Sequence, residues 1–358
     1  MKKTLVLKVD PQRPEPDKIR LAASFIRKGG LVAFPTETVY GLGADAFNPK
    51  AVLQLFKAKK RPLDNPPIVH VDNSKSVARL AKEVSPSAQR LMEQFWPGPL
   101  TLILKRSELV PDVTVAGLDT VAVRMPRHNV ALALIRESGC PVAAPSANLA
   151  GKPSPTSAEH VSADLDGRID VVLDAGPTVV GIESTVLDMT VDPPEVLRPG
   201  GTTYEMLQNF LGKVKLNPIA VADKPLPLEK VKSPGLKHKH YAPDADVVVV
   251  EGRLLAVVAK VNELARFYKL KGSKVGVLGT DETKQEYTAD TVKSLGSRDD
   301  LTSVARNLFR LFREFDDAGV DIIIAEAVPA EGLGLAVMNR LRKASGYKIV
   351  HADASRTE

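Results

Sequence analysis

The stretch Gly30-Leu-Val-Ala-Phe-Pro-Thr-Glu-Thr-Val-Tyr-Gly-Leu-Gly43 decides the fold class of this chain. Its apolar start, Leu31–Phe34, predicts a short buried strand. Upstream, residues 16–30 carry apolar side chains at helical spacing and end on a glycine pair, which predicts a helix ahead of the strand. Open α/β sheets bind ligands at the carboxyl ends of strands, so Thr36 and Thr38 are candidates for contacting a small polar ligand. An ST-turn that binds nothing explains the same loop.

Helices and strands alternate beyond this stretch. Asn48-Pro49 combines an N-cap residue with a first-turn proline and predicts a second helix to about Lys59, followed by a strand at Ile68–Val71. Short apolar runs predict further strands at Leu100–Leu104, Val121–Arg124, Val142–Ala144, Val171–Leu173, Thr185–Leu187 and Val196–Leu197. We expect a mixed, twisted α/β sheet.

The last third of the chain has a different pattern. Between residues 212 and 243 the periodicity disappears, and prolines and lysines predict an extended linker. Beyond it, apolar strands at Val247–Val250, Val275–Leu278 and Ile322–Ala325 alternate with amphipathic helices, which predicts a small parallel, doubly wound domain. The predicted organisation is a first domain at 1–211, the linker at 212–243 and a second domain at 244–358.

Composition and charge narrow the function. The 358 residues carry a net charge of +6, of which +7 lies before Asp244 and −1 from Asp244 onward. An excess of positive charge in one domain fits a polyanionic ligand, either nucleotide phosphates or an RNA backbone, although a solvated basic face has the same composition. No apolar stretch approaches the ~20 residues of a membrane span, and we expect a cytoplasmic protein. The one cysteine, Cys140, is interpreted as a buried structural thiol.

Several common catalytic motifs are absent from the sequence. Gly41-Leu-Gly-Ala-Asp-Ala46 matches the GxGxxA dinucleotide fingerprint, but six residues separate its first glycine from the strand and the next helix starts too late, so we reject it. Neither a Walker loop nor an HExxH motif occurs. His238 and His240 have a spacing that could chelate a metal, but histidines in a lysine-rich linker are more typically polar loop contacts.

Basic and small polar residues mark other candidate sites. Lys57, Lys59, Lys60 and Arg61 cluster at the end of the second predicted helix, where the helix dipole alone would favour cations. Because Arg61 and His70 flank one Pro/Asn-rich loop, a phosphate and carboxylate site is also plausible. Thr120 and Arg124 occupy opposite ends of a predicted strand, and Arg124 could instead extend from a sheet edge into solvent.

Taken together, these segments resemble the threonylcarbamoyl-AMP synthases, the YrdC-type proteins that prepare the activated intermediate for threonylcarbamoyl modification of adenosine in tRNA. The resemblance is carried by Gly30 to Gly43, Lys59-Lys-Arg61, Ser146-Ala-Asn148, Gly181-Ile-Glu-Ser184-Thr-Val, Val196-Leu-Arg198-Pro-Gly-Gly and the linker motif from Ser233 to Pro243. The chain departs from the family pattern at Lys60, where a glycine is usual, and at Asn65-Pro-Pro, where Lys-Pro is usual. It is most similar to the longer members, which have a YrdC-like twisted mixed sheet with a basic concave surface, a linker and a Rossmann-like C-terminal domain.

The resemblance implies a set of site residues. The signature tetrad, implied to be catalytic, is Lys59, Arg61, Ser146 and Asn148. Threonine would be held by Thr36, His70, Arg124, Ala144 and Ser184. ATP would be held by Arg61, Asn65, Thr120, Ser146, Ser154 and Arg198, with Tyr241 closing over the nucleotide.

The implied reaction joins L-threonine, bicarbonate and ATP into threonylcarbamoyl-adenylate and releases pyrophosphate. We expect N-carboxy-threonine to attack the α-phosphorus, so that catalysis consists of positioning and of cations from Lys59, Arg61 and Arg198. Mg²⁺ would accompany the triphosphate, although the sequence identifies no dedicated ligands, and the loop residue Glu37 is expected to be solvated. The implied partners are a downstream tRNA threonylcarbamoyl transferase and, weakly, tRNA itself.

Two other functions remain open at this point. A double-stranded RNA-binding module would use the same basic surface. Aromatic residues make up only 5% of the chain, however, so the composition gives little support for base stacking. A YrdC-like carbamoyltransferase acting on another acceptor would keep the fold and change the product.

Overall fold

The computed structural model describes residues 3–225 and 241–352. These residues form two compact units, the first made of residues 3–150 and 154–220, the second of 151–153, 221–225 and 241–352. Much of the predicted linker lies outside the described residues, so the predicted domain limits at 211 and 243 stay predictions. The proposed His238 and His240 chelate, and the linker motif from Ser233 to His240, also fall outside them.

The first unit combines a large sheet with seven short to medium helices in its described part. Its strands are β1 Leu5–Lys8, β2 Val32–Phe34, β3 Gly41–Asp45, β4 Ile68–His70, β5 Leu100–Lys105, β6 Thr120–Arg124, β7 Val142–Ala144, β8 Val171–Asp174, β9 Thr185–Asp188, β10 Glu195–Arg198 and β11 Lys215–Leu216. Its helices are α1 Pro16–Arg27, α2 Pro49–Lys59, α3 Pro86–Phe95, α4 Asn129–Ser138, α5 Ala158–Leu165, α6 Tyr204–Leu211 and α7 Pro218–Val221, with 3₁₀ turns at Ser74–Arg79 and Asp112–Val115.

These eleven strands form one sheet in the order β1-β8-β2-β3-β7-β4-β6-β5-β9-β10-β11 within the described residues. Parallel and antiparallel pairs alternate irregularly: β4 runs parallel to β6, whereas β5 and β6 are antiparallel. The predicted mixed α/β sheet is therefore confirmed. The edge strand β11 lies within the region predicted to be an extended linker, and it pairs with β10.

The local sequence explains how α2 begins and ends. The Asn48 side chain accepts hydrogen bonds from the backbone N–H groups of Lys50 and Ala51, and Pro49 occupies the first turn. An N-cap of this kind contributes about 1 kcal/mol. At the other end Lys60 adopts a left-handed conformation with φ of 52°, which ends the helix and turns the chain into Arg61. Glycine is the residue best suited to that conformation, which explains why it is usual here in the family that the chain resembles.

The predicted loop after β2 is shorter than expected. Gly41–Asp45 is strand β3, which pairs antiparallel with β2 so that Gly41 lies opposite Phe34. A Cβ atom on Gly43 would lie 2.7 Å from Val142 and 2.9 Å from the Phe34 ring, so glycine is required for this close packing. The rejection of the dinucleotide fingerprint is therefore confirmed, because these glycines belong to a strand and not to a strand-to-helix turn.

The two faces of the large sheet differ in what they bury. One face contributes to a large apolar cluster of the first unit, which includes Val69, Leu102, Val121 and Val123. The other face carries a smaller cluster of five buried residues, Ile68, Ile103, Ala122, Val186 and Leu197. Because neighbouring residues of a strand alternate between faces, the polar residues that flank this smaller cluster share its face.

The second unit has a parallel sheet, as predicted. Its described strands are β12 Asp246–Glu251, β13 Val275–Gly279, β14 Thr291–Ser294, β15 Ile322–Glu326 and β16 Ile349–His351, and its helices are α8 Leu254–Leu270, α9 Leu301–Asp317 and α10 Leu333–Ala344, with a 3₁₀ turn at Lys284–Glu286. The order is β14-β13-β15-β12-β16, and every pair runs parallel. Among the helices of the described residues, none combines the length and the apolar character that crossing a membrane would require.

Candidate active site

Strand β6 places the first two candidate residues on one face of the large sheet. Thr120, Ala122 and Arg124 alternate with Val121 and Val123, which point into the main core. Both polar side chains are buried, Thr120 at 5% and Arg124 at 3% exposure. The alternative that Arg124 extends from a sheet edge is wrong, because β6 lies between β4 and β5 in the interior of the sheet.

Strands β4 and β7 and the residue before β9 add three more candidates to the same face. His70 is the register partner of Arg124, and Ala144 is the partner of Ile68, a member of the small apolar cluster. Ser184 stands just before β9, where its hydroxyl lies 2.8 Å from the hydroxyl of Thr101 on β5. The candidate residues on four strands and adjoining loops thus share one surface. Sequence reasoning missed Thr101, although its alternation with the buried residues of Leu100–Lys105 could have identified it.

The loop after β2 is held rigidly beside this surface. The hydroxyls of Thr36 and Thr38 lie 2.8 Å apart, and Thr36 also donates to the carbonyl of Val39. The backbone carbonyls of Glu37 and Thr38 accept hydrogen bonds from the N–H groups of Val180 and Gly181. The loop therefore contains the predicted ST-turn, and it is also fastened to the chain that leads to Ser184.

Arg124 connects this loop to the sheet. Its Nη1 donates to the Thr38 hydroxyl at 3.0 Å and its Nε donates to the carbonyl of Gly98 at 3.2 Å. Its Nη2 lies 2.7 Å from Oε2 of Glu37. Glu37 is only 5% exposed, so the expectation of a solvated loop glutamate is wrong. Glu37 is buried beside an ionic partner, the guanidinium of Arg124, which is distant in the sequence.

His70 is held in its neutral form. Burial, followed by the positive charge of Arg124, lowers the pKa of His70 from 6.5 to about 3. Its Nδ1 lies 3.1 Å from the carbonyl of Ile68, and the backbone of Val142 is a second hydrogen-bond partner of the imidazole. A neutral imidazole has one donor and one acceptor nitrogen.

Lys59 joins two sequence segments that are far apart in the chain. Its side chain is 1% exposed, and its ammonium donates to the backbone carbonyls of Ser146 and Asn148. Burial, followed by the charge of Arg61, lowers the pKa of Lys59 well below its usual value. The Ser146 hydroxyl donates to Oδ1 of Asn148 at 2.6 Å, which completes a compact turn after β7. Three members of the signature tetrad are therefore in direct contact.

Arg61 fastens the Pro/Asn-rich loop that precedes β4. Its Nε donates to the carbonyl of Asn65 at 2.9 Å and its Nη2 to the carbonyl of Pro66 at 3.3 Å. Asn65 is buried, whereas Arg61 is half-buried. The loop thus presents a cation near the start of β4.

The guanidinium of Arg198 contacts the backbone of Ser184. Its Nε and Nη2 both donate to the Ser184 carbonyl, at 3.1 and 2.9 Å. The following glycines allow this approach, because a Cβ on Gly200 would lie 2.3 Å from the carbonyl oxygen of Glu183. Glu183 accepts a hydrogen bond from the hydroxyl of Ser154 at 2.5 Å, so it connects a predicted ATP residue with this segment. Glu183 lies within the run Gly181-Ile-Glu-Ser184 that carries the family resemblance, but sequence reasoning gave it no role.

The candidates still to be placed are Tyr241, Cys140 and any metal-binding group. Tyr241 belongs to the second unit, where its ring stacks on Phe309 with centroids 5.4 Å apart, and its predicted closure over the nucleotide stays a prediction. Cys140 is half-buried, not fully buried as expected. Desolvation, followed by the negative charge of Asp45, raises the pKa of its thiol to about 12. Within residues 3–225 and 241–352, no group of three or more His, Cys, Asp or Glu side chains could hold a metal ion.

Comparisons with known proteins cover both units. Residues 24–200 match the Sua5/YciO/YrdC family model, described as "Telomere recombination", and residues 202–346 match the model described as "Threonylcarbamoyl-AMP synthase, C-terminal domain". The threonylcarbamoyl-AMP synthase of Pyrococcus abyssi is 52% identical over 97% of this chain and 99% of its own length. That of Bacillus subtilis is 50% identical over 95% of each chain. The crystal structure of P. abyssi Sua5 complexed with L-threonine matches with a TM-score of 0.92 at 51% identity, over 97% of this chain and 99% of its own.

Proposed function

Because this chain belongs to the threonylcarbamoyl-AMP synthase family, we propose that the sheet face carrying His70 and Arg124 is where its L-threonine and ATP react. The reaction joins L-threonine, bicarbonate and ATP into L-threonylcarbamoyladenylate and releases pyrophosphate. The product serves the threonylcarbamoyl modification of adenosine 37 in tRNA. The observation that carries the proposal is the contact of Lys59 with Ser146 and Asn148, because it assembles the family's signature residues beside this face.

The threonine end of the site is proposed around Arg124. Its guanidinium is fixed by Gly98 and Thr38 and would bind the substrate carboxylate. Neutral His70 would exchange a hydrogen bond with the threonine hydroxyl, which can both donate and accept. Thr36, Ala144 and Ser184 are the remaining proposed contacts. These polar side chains, beside the small apolar cluster of the same sheet face, suit a single amino acid as the ligand.

The ATP end is proposed at the opposite end of β6. Thr120 lies four residues before Arg124 on the same face, which corresponds to roughly 13 Å along a strand. This separation leaves room for a carbamate and an α-phosphate between the two ends. The proposed ATP contacts are Arg61, Asn65, Thr120, Ser146, Ser154 and Arg198.

The chemistry requires no enzyme nucleophile. The amine nitrogen of threonine bonds to the carbon of CO₂ and releases a proton, or to the carbon of bicarbonate, in which case a C–O bond breaks and water leaves; both routes give N-carboxy-threonine. Its new carboxylate then attacks the α-phosphorus as the bond to the β-phosphate breaks, so that pyrophosphate leaves. Arg61 and Arg198 supply fixed positive charge for the phosphate oxygens, and the bound reactants are held in line.

Lys59 has a different proposed role from the one expected of it. Its ammonium donates to two backbone carbonyls and lies in a fully buried position, so it holds the turn that carries Ser146 and Asn148. Lys59 would therefore influence phosphate binding indirectly, by holding this turn in place. The direct contact between Lys59 and phosphate that was expected from the sequence is not part of the proposal.

Mg²⁺ is proposed as the companion of ATP. Mg²⁺ at nucleotide sites is held mainly by phosphate oxygens and water, with one or two carboxylates. When bound, it would offset the charge of the pyrophosphate leaving group.

The two alternatives have no specific observation in their favour. The buried Thr, Ser and His side chains suit a small ligand better than an RNA backbone, and the relatives over the full chain carry the synthase name. Release of pyrophosphate that depends on threonine tests the proposal directly.

A further inference from the structure

Glu37 and Arg124 form a buried pair of opposite charges that is incompletely satisfied. The two side chains approach to 2.7 Å, with side-chain exposures of 6% and 4%. Within the described residues neither carboxylate oxygen of Glu37 accepts a hydrogen bond, and Nη2 of Arg124 donates none. The contact is therefore ionic without being aligned as a hydrogen bond. A buried carboxylate normally fills its lone pairs with donors, because leaving them empty costs stability.

The chain shows elsewhere how it satisfies a structural glutamate. Glu326, in the second unit, is fully buried and accepts hydrogen bonds from four donors, the hydroxyls of Thr280, Thr283 and Tyr287 and Nη1 of Arg298. Glu37 is buried to a similar degree and has an arginine partner but none of these hydroxyl donors. The difference indicates that the carboxylate oxygens of Glu37 accept hydrogen bonds from a group that is not part of the chain.

The pair cannot rearrange easily to satisfy itself. Arg124 is fixed at Nε by Gly98 and at Nη1 by Thr38. The backbone of Glu37 and Thr38 is fixed by the N–H groups of Val180 and Gly181. An anion and a cation are thus held side by side in the loop and strand that carry Thr36 and His70. Charges pre-set in this way bind a ligand without the cost of ordering them first.

We propose that Glu37 and Arg124 together recognise the zwitterionic head of the amino-acid substrate, with Arg124 binding its carboxylate and Glu37 its ammonium. An α-amino acid carries these two charges on one carbon atom, so it matches an arginine and a glutamate in direct contact. The ammonium has three N–H donors, which would fill the empty lone pairs of Glu37. This inference rests on the proposed function, and it adds a specificity-determining residue that the signature residues do not include.

The contribution of the ammonium group to binding can be measured by comparing two ligands. (R)-3-Hydroxybutanoate is L-threonine without its amino group, and it keeps the carboxylate, the hydroxyl and the methyl group. Dissociation constants for both ligands would be measured by calorimetry on the full-length wild type, Glu37→Gln and Glu326→Gln. The last variant is the matched control, because it also neutralises a buried glutamate that is paired with an arginine.

We expect wild type to prefer threonine, and Glu37→Gln to weaken threonine binding by about 10- to 100-fold, the range of a charge-assisted hydrogen bond. Binding of 3-hydroxybutanoate to Glu37→Gln should not weaken, and Glu326→Gln should keep the wild-type ratio of the two constants. An equal loss for both ligands in Glu37→Gln would make the pair purely structural and overturn the inference.

The proposed function and this inference fail in different ways. If wild type binds no threonine, the proposed function fails. If wild type binds threonine and Glu37→Gln keeps the full preference for it, only the role of Glu37 fails. Should Glu37→Gln not fold, Glu37→Asp keeps the charge but shortens its reach, and an unchanged ligand preference in that variant would also overturn the inference.

Discussion

The buried ammonium of Lys59 donates to the backbone carbonyl of Ser146, and through it two distant signature segments are joined. Lys59→Met should remove this bond and the bond to Asn148 while keeping most of the side-chain volume. Because Lys59→Met leaves two buried backbone carbonyls without their donor, we expect unfolding in urea to show a loss of about 2 kcal/mol or more. Threonine-dependent activity should fall as well, because the turn with Ser146 is released.

The control for this variant is Lys57→Met on the same helix. Lys57 is exposed, so its replacement should change the free energy of unfolding by no more than about 0.5 kcal/mol. Equal stabilities of the two variants would show that the Lys59 contact does not hold the turn.

Lys60 offers a test of the backbone at the end of α2. Because its φ of 52° suits glycine, Lys60→Gly should relieve strain and raise the free energy of unfolding by about 0.5 to 1 kcal/mol. Lys60 is exposed, and its replacement should leave turnover near the wild-type value. A large loss of activity in a stable Lys60→Gly protein would instead give its ammonium a part in catalysis.

Arg124 is expected to act on threonine more than on ATP. Arg124→Ala should raise the KM for threonine by at least about 10-fold, because a charge-assisted contact to the carboxylate is lost. The KM for ATP should change much less. Steady-state kinetics in which ATP is the more affected substrate would move Arg124 to the phosphate end, provided that circular dichroism shows the variant to be folded.

His70 should make the stability depend on pH in a predictable direction. Its pKa is about 3 in the folded protein and 6.5 as an ordinary histidine, so only the unfolded chain takes up its proton between these values. The stability that His70 contributes is complete above pH 6.5 and declines as the pH falls toward 3, by at most about 1.4 kcal/mol per pH unit. In urea unfolding from pH 7 to pH 4, His70→Gln should therefore lose stability less steeply than wild type. Parallel curves for the two proteins would contradict the burial of a neutral His70.

Most elements of the fold could be predicted because their signals are local. Asn48-Pro49 identified the start of α2, and apolar runs identified β6 and β7 to within one residue. Strand β3 was missed because its glycines are rare in strands, and they are explained only by packing against Val142 and Phe34.

The site was less accessible to sequence reasoning because it is made by tertiary contacts. The residue types at the site followed from the family resemblance, but their environments did not. Glu37 looked like a solvated loop residue until its ion pair with Arg124, distant in the sequence, was seen. Lys59 looked like a phosphate ligand, and only the fold shows that carbonyls after β7 receive its ammonium.

The central claim is that this chain makes an adenylate from threonine, and one assay tests it most directly. The full-length protein would be mixed with ATP, Mg²⁺, bicarbonate and each amino acid in turn, and both pyrophosphate and the adenylate product would be measured. We predict release with L-threonine that requires bicarbonate, and no release by a folded Arg61→Ala protein. Release that is independent of threonine, or equal for all amino acids, would contradict the account.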